Sequence, residues 1–211
     1  MTAEITRHDA AGYVLAGGAS SRFGRDKALA GLGGETVLSR TVRVLEGVTG
    51  PVRVVAPASR YPEFGARMVE DRWPGEGPLG GILTALIATA ETGRAADWNL
   101  IVGCDMPFLT RAWLGYVLEQ ARGSGADVLL PRSRTGDEPL CACWRTGAVS
   151  LLQEGFDAGV RKVSQAMKRL HTEVLDEAHW KRFDSDGRLF WNMNTPEDYE
   201  QAVRISRTGN E

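Results

Sequence analysis

The residues best suited to chemistry follow the first apolar segment of the chain. The segment ends at Ala16, and Gly17, Gly18, Arg22 and Lys27 come after it within one loop. Glycines let backbone N–H groups approach a phosphate chain without a clash with Cβ, and the two cationic side chains neutralise its charge. The spacing matches neither the P-loop nor the G-x-G-x-x-G dinucleotide pattern. The segment therefore predicts a phosphate-binding loop of another kind; the alternative is an ordinary glycine-rich turn with solvated charges.

A carboxylate follows a second apolar segment of the chain. Asp105 lies just beyond residues 100–103, at the end of a predicted strand, where open α/β sheets bind ligands. Mg²⁺ prefers hard oxygen ligands and is commonly held by one or two carboxylates together with substrate phosphates. We predict that Asp105 is a metal ligand. The alternative is that Asp105 caps the helix that begins near Thr110.

Two further polar segments are candidates for binding. The glycines of residues 77–81 permit backbone contact with the edge of a base, although they also fit a turn that begins a helix. Asn192 and Asn194 precede a predicted helix N-terminus that favours anions, and local loop-stabilising bonds are their alternative role. Thr195 and Asp198 form a capping pattern at the start of that helix.

The elements that must position these residues alternate between short apolar runs and longer amphipathic stretches. This alternation predicts βαβ units around a mostly parallel sheet, with residues 139–145 as a further, antiparallel strand. Strands are predicted near residues 12–16, 52–56, 67–69, 99–103 and 127–131. Helices are predicted near residues 36–46, 79–92, 111–122, 146–155 and 160–170, with a last one opening at 195–198.

Length, charge and cysteine content limit the possible functions. The 211 residues, of 22.9 kDa, predict a single domain spanning residues 1–211. A net charge of −2 argues against nucleic acid and anionic membranes as partners. Three cysteines without a framework spacing, no signal-like N-terminus and no stretch long enough to span a bilayer predict a cytoplasmic location. Cys141 and Cys143 lack zinc spacing and are predicted to be buried.

Four ordered motifs carry a resemblance to a known family. Residues 15–29 resemble the L-A-G-G-x-S-x-R-x-G-x-D-K signature of nucleotidyltransferases. The segments G-P-L-G-G-I at 77–82, C-D-M-P-F at 104–108 and N-M-N-T-P-E-D at 192–198 follow in the family's order. The last of these points to the molybdenum cofactor guanylyltransferases, which the chain resembles over nearly its whole length.

The resemblance implies a three-layer Rossmann-like α/β fold whose N-terminal half binds nucleotide and whose C-terminal half binds the acceptor. It implies transfer of GMP from GTP to the terminal phosphate of molybdopterin, with Mg²⁺ as cofactor and transient contact with cofactor-delivery proteins. The implied catalytic residues are Arg22, Lys27 and Asp105. The implied nucleotide site comprises Leu15, Ala16, Gly17, Gly18, Lys27, Asp71, Gly77, Pro78, Leu79, Gly80 and Asp105. The implied acceptor site comprises Asn192, Asn194 and Arg161.

Alternatives remain open at this point. Ala56 stands where members of the family often carry asparagine, which removes one side-chain contact to the base. A cytidylyltransferase or sugar-phosphate nucleotidyltransferase of the same superfamily is therefore the second interpretation. A non-catalytic GTP-binding module is the third, and the presence of both a candidate metal ligand and a second-substrate motif argues against it.

Overall fold

Strands and helices alternate along the chain in the computed structural model, which describes residues 10–18, 24, 26–93 and 97–208. The strands are β1 (Ala10–Leu15), β2 (Gly31–Leu32), β3 (Glu35–Thr36), β4 (Val52–Ala56), β5 (Met68–Glu70), β6 (Trp98–Gly103), β7 (Val128–Ser133), β8 (Gly136–Asp137), β9 (Cys141–Arg145) and β10 (Thr172–Leu175). The α-helices are α1 (Val37–Glu46), α2 (Pro78–Glu91), α3 (Arg111–Gly123), α4 (Val149–Asp157), α5 (Val163–Ala166), α6 (Glu177–Trp180) and α7 (Pro196–Thr208). Short 3₁₀ segments span Lys27–Leu29, Pro62–Arg67, Thr146–Ala148, Met167–Arg169 and Lys181–Phe183.

The main sheet is mostly parallel and has the strand order β10-β7-β9-β6-β1-β4-β5, with β8 added to β7. Strand β9 runs antiparallel to both of its neighbours, β6 and β7. The chain builds outward from β1 to β4 and β5 and then returns to the other side of β1 with β6. The order of the strands therefore reverses between β1 and β6, the point at which such sheets bind ligands.

Hydrophobic cores cover both faces of this sheet. Successive strand residues point to opposite faces, so Tyr13 packs into one core and Val14 into the other. The core at Val14 includes residues of α1 and α3, among them Leu45 and Trp113. The core at Tyr13 includes residues of α2 and α4, among them Leu83. Helices thus lie on both sides of a mostly parallel sheet, which confirms the predicted three-layer α/β class.

Most of the predicted elements are confirmed. The five predicted parallel strands correspond to β1, β4, β5, β6 and β7, and the predicted antiparallel strand is β9. The predicted cap of α7 is present: Thr195 Oγ1 accepts from the backbone N–H of Asp198 at 3.2 Å, and Asp198 Oδ2 accepts from that of Thr195 at 2.8 Å. Helix α7 packs through Ala202 against a small core that includes Leu32 of β2.

The predicted helix over residues 160–170 begins later than predicted, because helical structure covers only residues 163–169. Gly159 has a φ of +91°, which ends the preceding helix, and Lys162 is extended with φ −82° and ψ 126°. Arg161 Nη1 donates to the carbonyl oxygens of Phe156 and Val160, at 2.6 and 3.1 Å, and so stabilises this turn. Only the short α5 and the 3₁₀ turn Met167–Arg169 remain helical. Strand β10, which pairs with β7, was not predicted.

The three cysteines are free and buried, as predicted for the pair at 141 and 143. Cys141 and Cys143 belong to the same core, and the indole N–H of Trp113 donates to Cys141 Sγ at 3.4 Å. Burial raises the pKa of the Cys141 thiol to about 12. Within the described part of the chain, no group of three or more His, Cys, Asp or Glu residues could hold a metal ion, and no helix is long and apolar enough to cross a membrane.

Candidate active site

A cavity of about 320 Å³ opens at the carboxyl ends of β1 and β6, where the strand order reverses. The two strands are paired up to Leu15 and Gly103, so the residues that follow them lie side by side. Loops after β5 and before β9 complete the wall. The lining residues are Leu15, Gly17, Gly18, Lys27, Val55, Asp71, Gly75, Gly77, Pro78, Gly81, Gly103, Cys104, Asp105 and Leu140.

Lys27 joins three predicted motifs at this cavity. Its ammonium Nζ donates to Asp105 Oδ2 at 3.2 Å and to Asn194 Oδ1 at 3.1 Å. The backbone N–H of Met193 also donates to the carbonyl of Asp105 at 2.8 Å, which ties the C-terminal motif to the end of β6. Residues that are far apart in sequence therefore meet at one cation.

The residues around Asp105 leave its carboxylate available as a metal ligand. A Cβ on Gly103 would lie 2.6 Å from Asp105 Oδ1, so glycine leaves the space that the carboxylate occupies. Thr110 caps α3 instead of Asp105, because its Oγ1 accepts from the N–H of Trp113 at 3.2 Å. The helix-cap alternative for Asp105 is therefore wrong. Asp105 and Asn194 together present the hard carboxylate and amide oxygens that Mg²⁺ prefers.

Asp71 and the start of α2 form the opposite part of the wall. Asp71 Oδ1 accepts from the N–H of Trp73 at 3.1 Å and from Thr84 Oγ1 at 3.3 Å, so α2 fixes its orientation. Gly77 has a φ of +81°, a conformation that favours glycine, and Pro78 begins the helix. The wall at this point consists mainly of backbone.

Several predicted site residues lie away from the cavity wall. Ala16, Leu79 and Gly80 are buried behind it. Asn192 donates from Nδ2 to the carbonyl of Phe190 at 3.2 Å, a local loop contact. Arg161 is paired with Glu76 of the 75–81 loop at 2.5 Å, and its Cζ lies 3.9 Å from the centre of the Phe156 ring. Arg22 falls outside the described residues.

Other residues at the site were not predicted. Val55, Gly103 and Leu140 line the cavity because each lies near the end or the beginning of a strand at this edge of the sheet, and Gly75 lines it from the loop between β5 and α2. Glu138 lies two residues before Leu140. Burial raises its pKa and the charge of Asp105 adds to the rise, against hydrogen bonds from Ser133 and Thr135. Strand ends were the only sequence signal for these positions.

A ligand cavity at the strand-order reversal, with a glycine loop, a lysine and a carboxylate, defines the class of Rossmann-like nucleotidyltransferases. Solved structures with this fold include molybdopterin-guanine dinucleotide biosynthesis protein A from Archaeoglobus fulgidus, with a TM-score of 0.80 and 24% identity over 94% of this chain and 99% of that chain. A cytidylate-type synthetase, the CMP:2-keto-3-deoxy-manno-octonic acid synthetase solved with CTP, has a TM-score of 0.68 at 12% identity over 95% and 99% of the two chains.

The chain belongs to the family of the MobA-like NTP transferase domain, whose model matches residues 12–173. A relative from Chloroflexus aggregans is 36% identical over 94% of this chain and 96% of its own length, and is named a probable molybdenum cofactor guanylyltransferase. A relative from Desulfosudis oleivorans, named molybdenum cofactor guanylyltransferase, is 28% identical over 94% and 96% of the two chains. The family resemblance predicted from the four motifs is confirmed.

Proposed function

We propose that this enzyme transfers GMP from GTP to the terminal phosphate of molybdopterin or its molybdenum-loaded form and releases pyrophosphate. The names of the relatives support this reaction. The observation that carries the proposal is the position of Lys27, whose ammonium contacts both the candidate metal ligand Asp105 and the second-substrate residue Asn194. One cation can thus neutralise charge on the donor and the acceptor at their point of contact.

The reaction requires no nucleophile from the protein. An oxygen of the acceptor phosphate forms the new bond to the α-phosphorus of GTP, and the bond from that phosphorus to the bridging oxygen of the β-phosphate breaks, so the electron pair leaves with pyrophosphate. The tasks left to the protein are alignment and charge neutralisation. We assign them to the backbone of Gly17 and Gly18, to Lys27, and to Arg22.

Asp105 and Asn194 would hold the Mg²⁺ ion of this proposal. Both present oxygen atoms within reach of one ammonium group, and Mg²⁺ commonly binds one carboxylate together with substrate phosphates. When bound, the ion would offset negative charge on the α-phosphate and on the leaving pyrophosphate. Lys27 donates to both oxygens and so keeps the two side chains close to each other.

The guanine base would lie against Asp71 and the backbone of residues 75–81. Gly75 and Gly77 both have positive φ values, of 90° and 81°, and line the cavity without side chains, so peptide groups can meet the base edge. Ala56 contributes no amide and is buried. Base selection would therefore depend on backbone contacts and on Asp71.

The acceptor would enter from the side of Asn194, with Asn192 and Arg161 as further contacts. In this arrangement the N-terminal half of one domain holds the nucleotide and the C-terminal half holds the acceptor. Three free thiols support a cytoplasmic location, and the net charge of −2 supports small anionic substrates over nucleic acid. The product would pass to cofactor-delivery proteins by transient contact.

Calorimetric titration with GTP, CTP, ATP and UTP in the presence of Mg²⁺ tests the base assignment, and pyrophosphate release with GTP and molybdopterin tests the reaction. We expect selective binding of GTP and release that depends on both substrates. Lys27→Met should lose the release, whereas Lys168→Met, at an exposed position, should keep it. Preference for CTP would favour a cytidylyltransferase, and binding without release would favour a non-catalytic module.

A further inference from the structure

Arg60 contacts both described ends of the glycine-rich loop, although it comes from a different part of the chain. Its Nη1 donates to the carbonyl of Gly17 at 3.4 Å and its Nη2 to that of Gly18 at 3.2 Å. Its Nε donates to Asp26 Oδ2 at 3.0 Å, on the far side of the loop. One guanidinium group therefore contacts Gly17 and Gly18 at the start of the loop and Asp26 near its end.

The neighbouring Tyr61 completes this connection. Its hydroxyl group lies 3.1 Å from the carbonyl of Ala16 and 2.9 Å from Asp26 Oδ2, and its side chain is fully buried. Asp26 Oδ1 in turn accepts from the N–H of Ala28 at 3.1 Å and caps the 3₁₀ turn that begins at Lys27. Asp26 thus contacts Arg60 and Tyr61 on one side and caps the turn that carries Lys27 on the other, so it links those two residues to that turn.

The direction of the carbonyls determines the direction of the amides. The peptide bond is planar and trans, so the C=O of one residue and the N–H of the next point in opposite directions. Because the carbonyl of Gly17 points to Arg60, the N–H of Gly18 points away from it. Gly17 and Gly18 line the cavity and Arg60 does not, so an anionic ligand there would meet the N–H of Gly18 and not the carbonyl of Gly17.

The backbone before Arg60 is itself unusual. Ser59 has a φ of +61°, the left-handed region that residues with a Cβ rarely adopt, and it is the one described residue other than glycine with a positive φ. Such a conformation persists only where the surroundings impose it, and it is concentrated at functional segments. The two residues that follow Ser59, Arg60 and Tyr61, are both held by contacts with the loop, and these contacts restrain the backbone at Ser59.

We propose that Arg60 is a positioning residue for the nucleoside triphosphate: it holds the carbonyls of Gly17 and Gly18 away from the phosphates and, through Asp26, sets the position of Lys27. This inference rests on the proposed function, because it names a determinant of the same nucleotide site. Arg60 does not line the cavity, so its effect on the triphosphate passes through the loop.

The test compares Arg60→Ala with Arg67→Ala in the full-length protein. Arg67 ends the 3₁₀ segment Pro62–Arg67 that follows Arg60; its Nη1 pairs with Glu46 Oε1 at 2.6 Å, and its side chain is 51% exposed. We expect Arg60→Ala to raise the dissociation constant and the KM for Mg²⁺–GTP about tenfold or more, the loss typical of a hydrogen bond to a charged group. The KM for the acceptor should not change, and Arg67→Ala should bind GTP normally.

Two further measurements separate positioning from a general loss of structure. Added guanidinium, at concentrations that leave the protein folded, should restore part of the GTP affinity of Arg60→Ala and none in Arg67→Ala. Arg60→Lys keeps the charge but not the planar arrangement of donors, and its loss of GTP affinity should be smaller than that of Arg60→Ala. If Arg60→Ala does not fold, the GTP affinity of Arg60→Lys serves as the test instead.

Unchanged GTP affinity in Arg60→Ala or Arg60→Lys, with the unaltered protein binding GTP, would overturn the role of Arg60 and leave the proposed function intact. If the unaltered protein prefers another triphosphate, the same comparison is made with that nucleotide, and only the choice of GTP is overturned. Binding of no nucleoside triphosphate by the unaltered protein would overturn both.

Discussion

At the scale of single residues, the site depends on the balance of charge around Lys27. The ammonium contacts a formally charged side chain, Asp105, and a neutral one, Asn194. Both side chains are largely buried, with 15% of Lys27 and 24% of Asp105 exposed. Removing two charges from water costs free energy that offsets much of their attraction, so the pair is better explained by a role with ligands than by stability.

Asp105→Asn should therefore abolish turnover and leave the fold intact. The amide keeps the size of the side chain but loses the charge that would hold the metal ion, and we expect kcat to fall to about one hundredth or less. Pyrophosphate release measures the activity and circular dichroism the fold. Asp157→Asn, on an exposed carboxylate of α4 that accepts from Gln153, is the matched control. Activity near normal in Asp105→Asn would remove Asp105 from the metal site.

Sequence motifs predicted the residues that line the cavity, but they did not predict the residues that hold those lining residues in position. Gly17, Lys27 and Asp105 belong to ordered motifs, and each lines the cavity. Arg60 and Tyr61 carry no local pattern, because they contact the loop across 34 to 45 positions of sequence. The pairing of β1 with β4 brings these segments together in the folded chain. The binding roles assigned to the individual site residues stay predictions.

At the scale of elements, the start of α7 connects stability with the site. Asp198 Oδ2 accepts from the N–H groups of Asn194 and Thr195, both at 2.8 Å, and Asn194 in turn contacts Lys27. Burial alone would raise the pKa of Asp198, but these hydrogen bonds outweigh it and lower the pKa below its usual value. The charged form of Asp198 is therefore the one that the folded protein stabilises.

Asp198→Ala should lower the free energy of unfolding by about 1 kcal/mol at pH 7. The folded-state pKa is lowered, so this contribution is fully present above the unfolded pKa of about 3.9 and is lost as the pH falls through the folded pKa. Urea unfolding between pH 7 and pH 3 measures it. Glu197→Ala, in the same helical turn but exposed, serves as the control. A difference between Asp198→Ala and the unaltered protein that is the same at both pH values would contradict the assignment.

Elements with strong periodicity and clear ends were predictable, whereas those that depend on tertiary contacts were not. Helix α2 follows a glycine–proline start and lies close to its predicted bounds. Residues 160–170 show helical spacing, yet Gly159 and the carbonyl contacts of Arg161 impose a turn at the start of this range, and helical structure begins only at Val163. Strand β10 has only four residues and forms because β7 offers it an open edge.

At the scale of the whole molecule, the cavity wall and its contacts join segments from the first strand to the last motif, which reaches the wall through Lys27. Lys27, Asp105 and Asn194 belong to three distant parts of the chain, and one hydrogen-bonded group links them. A ligand at this point would contact residues that are brought together only in the folded state. Binding must then stabilise the fold as a whole.

GTP with Mg²⁺ should raise the melting temperature by about 5 to 10 °C at a ligand concentration one hundredfold above its dissociation constant. GTP with EDTA should give a smaller rise, because the unscreened triphosphate repels the Asp105 carboxylate. Differential scanning fluorimetry with each of the four triphosphates measures these shifts. Equal shifts with and without the chelator would contradict a metal ion at this site.

The reversed direction of β9 has a consequence for how the binding edge is built. The parallel strands deliver loops to this edge where they end, but β9 delivers one where it begins, at Leu140. The turn around β8 can therefore lengthen or shorten without moving the exits of β1 or β6. A change of length in this hairpin would alter the cavity wall next to Leu140 and leave Lys27 and Asp105, which follow β1 and β6, in place.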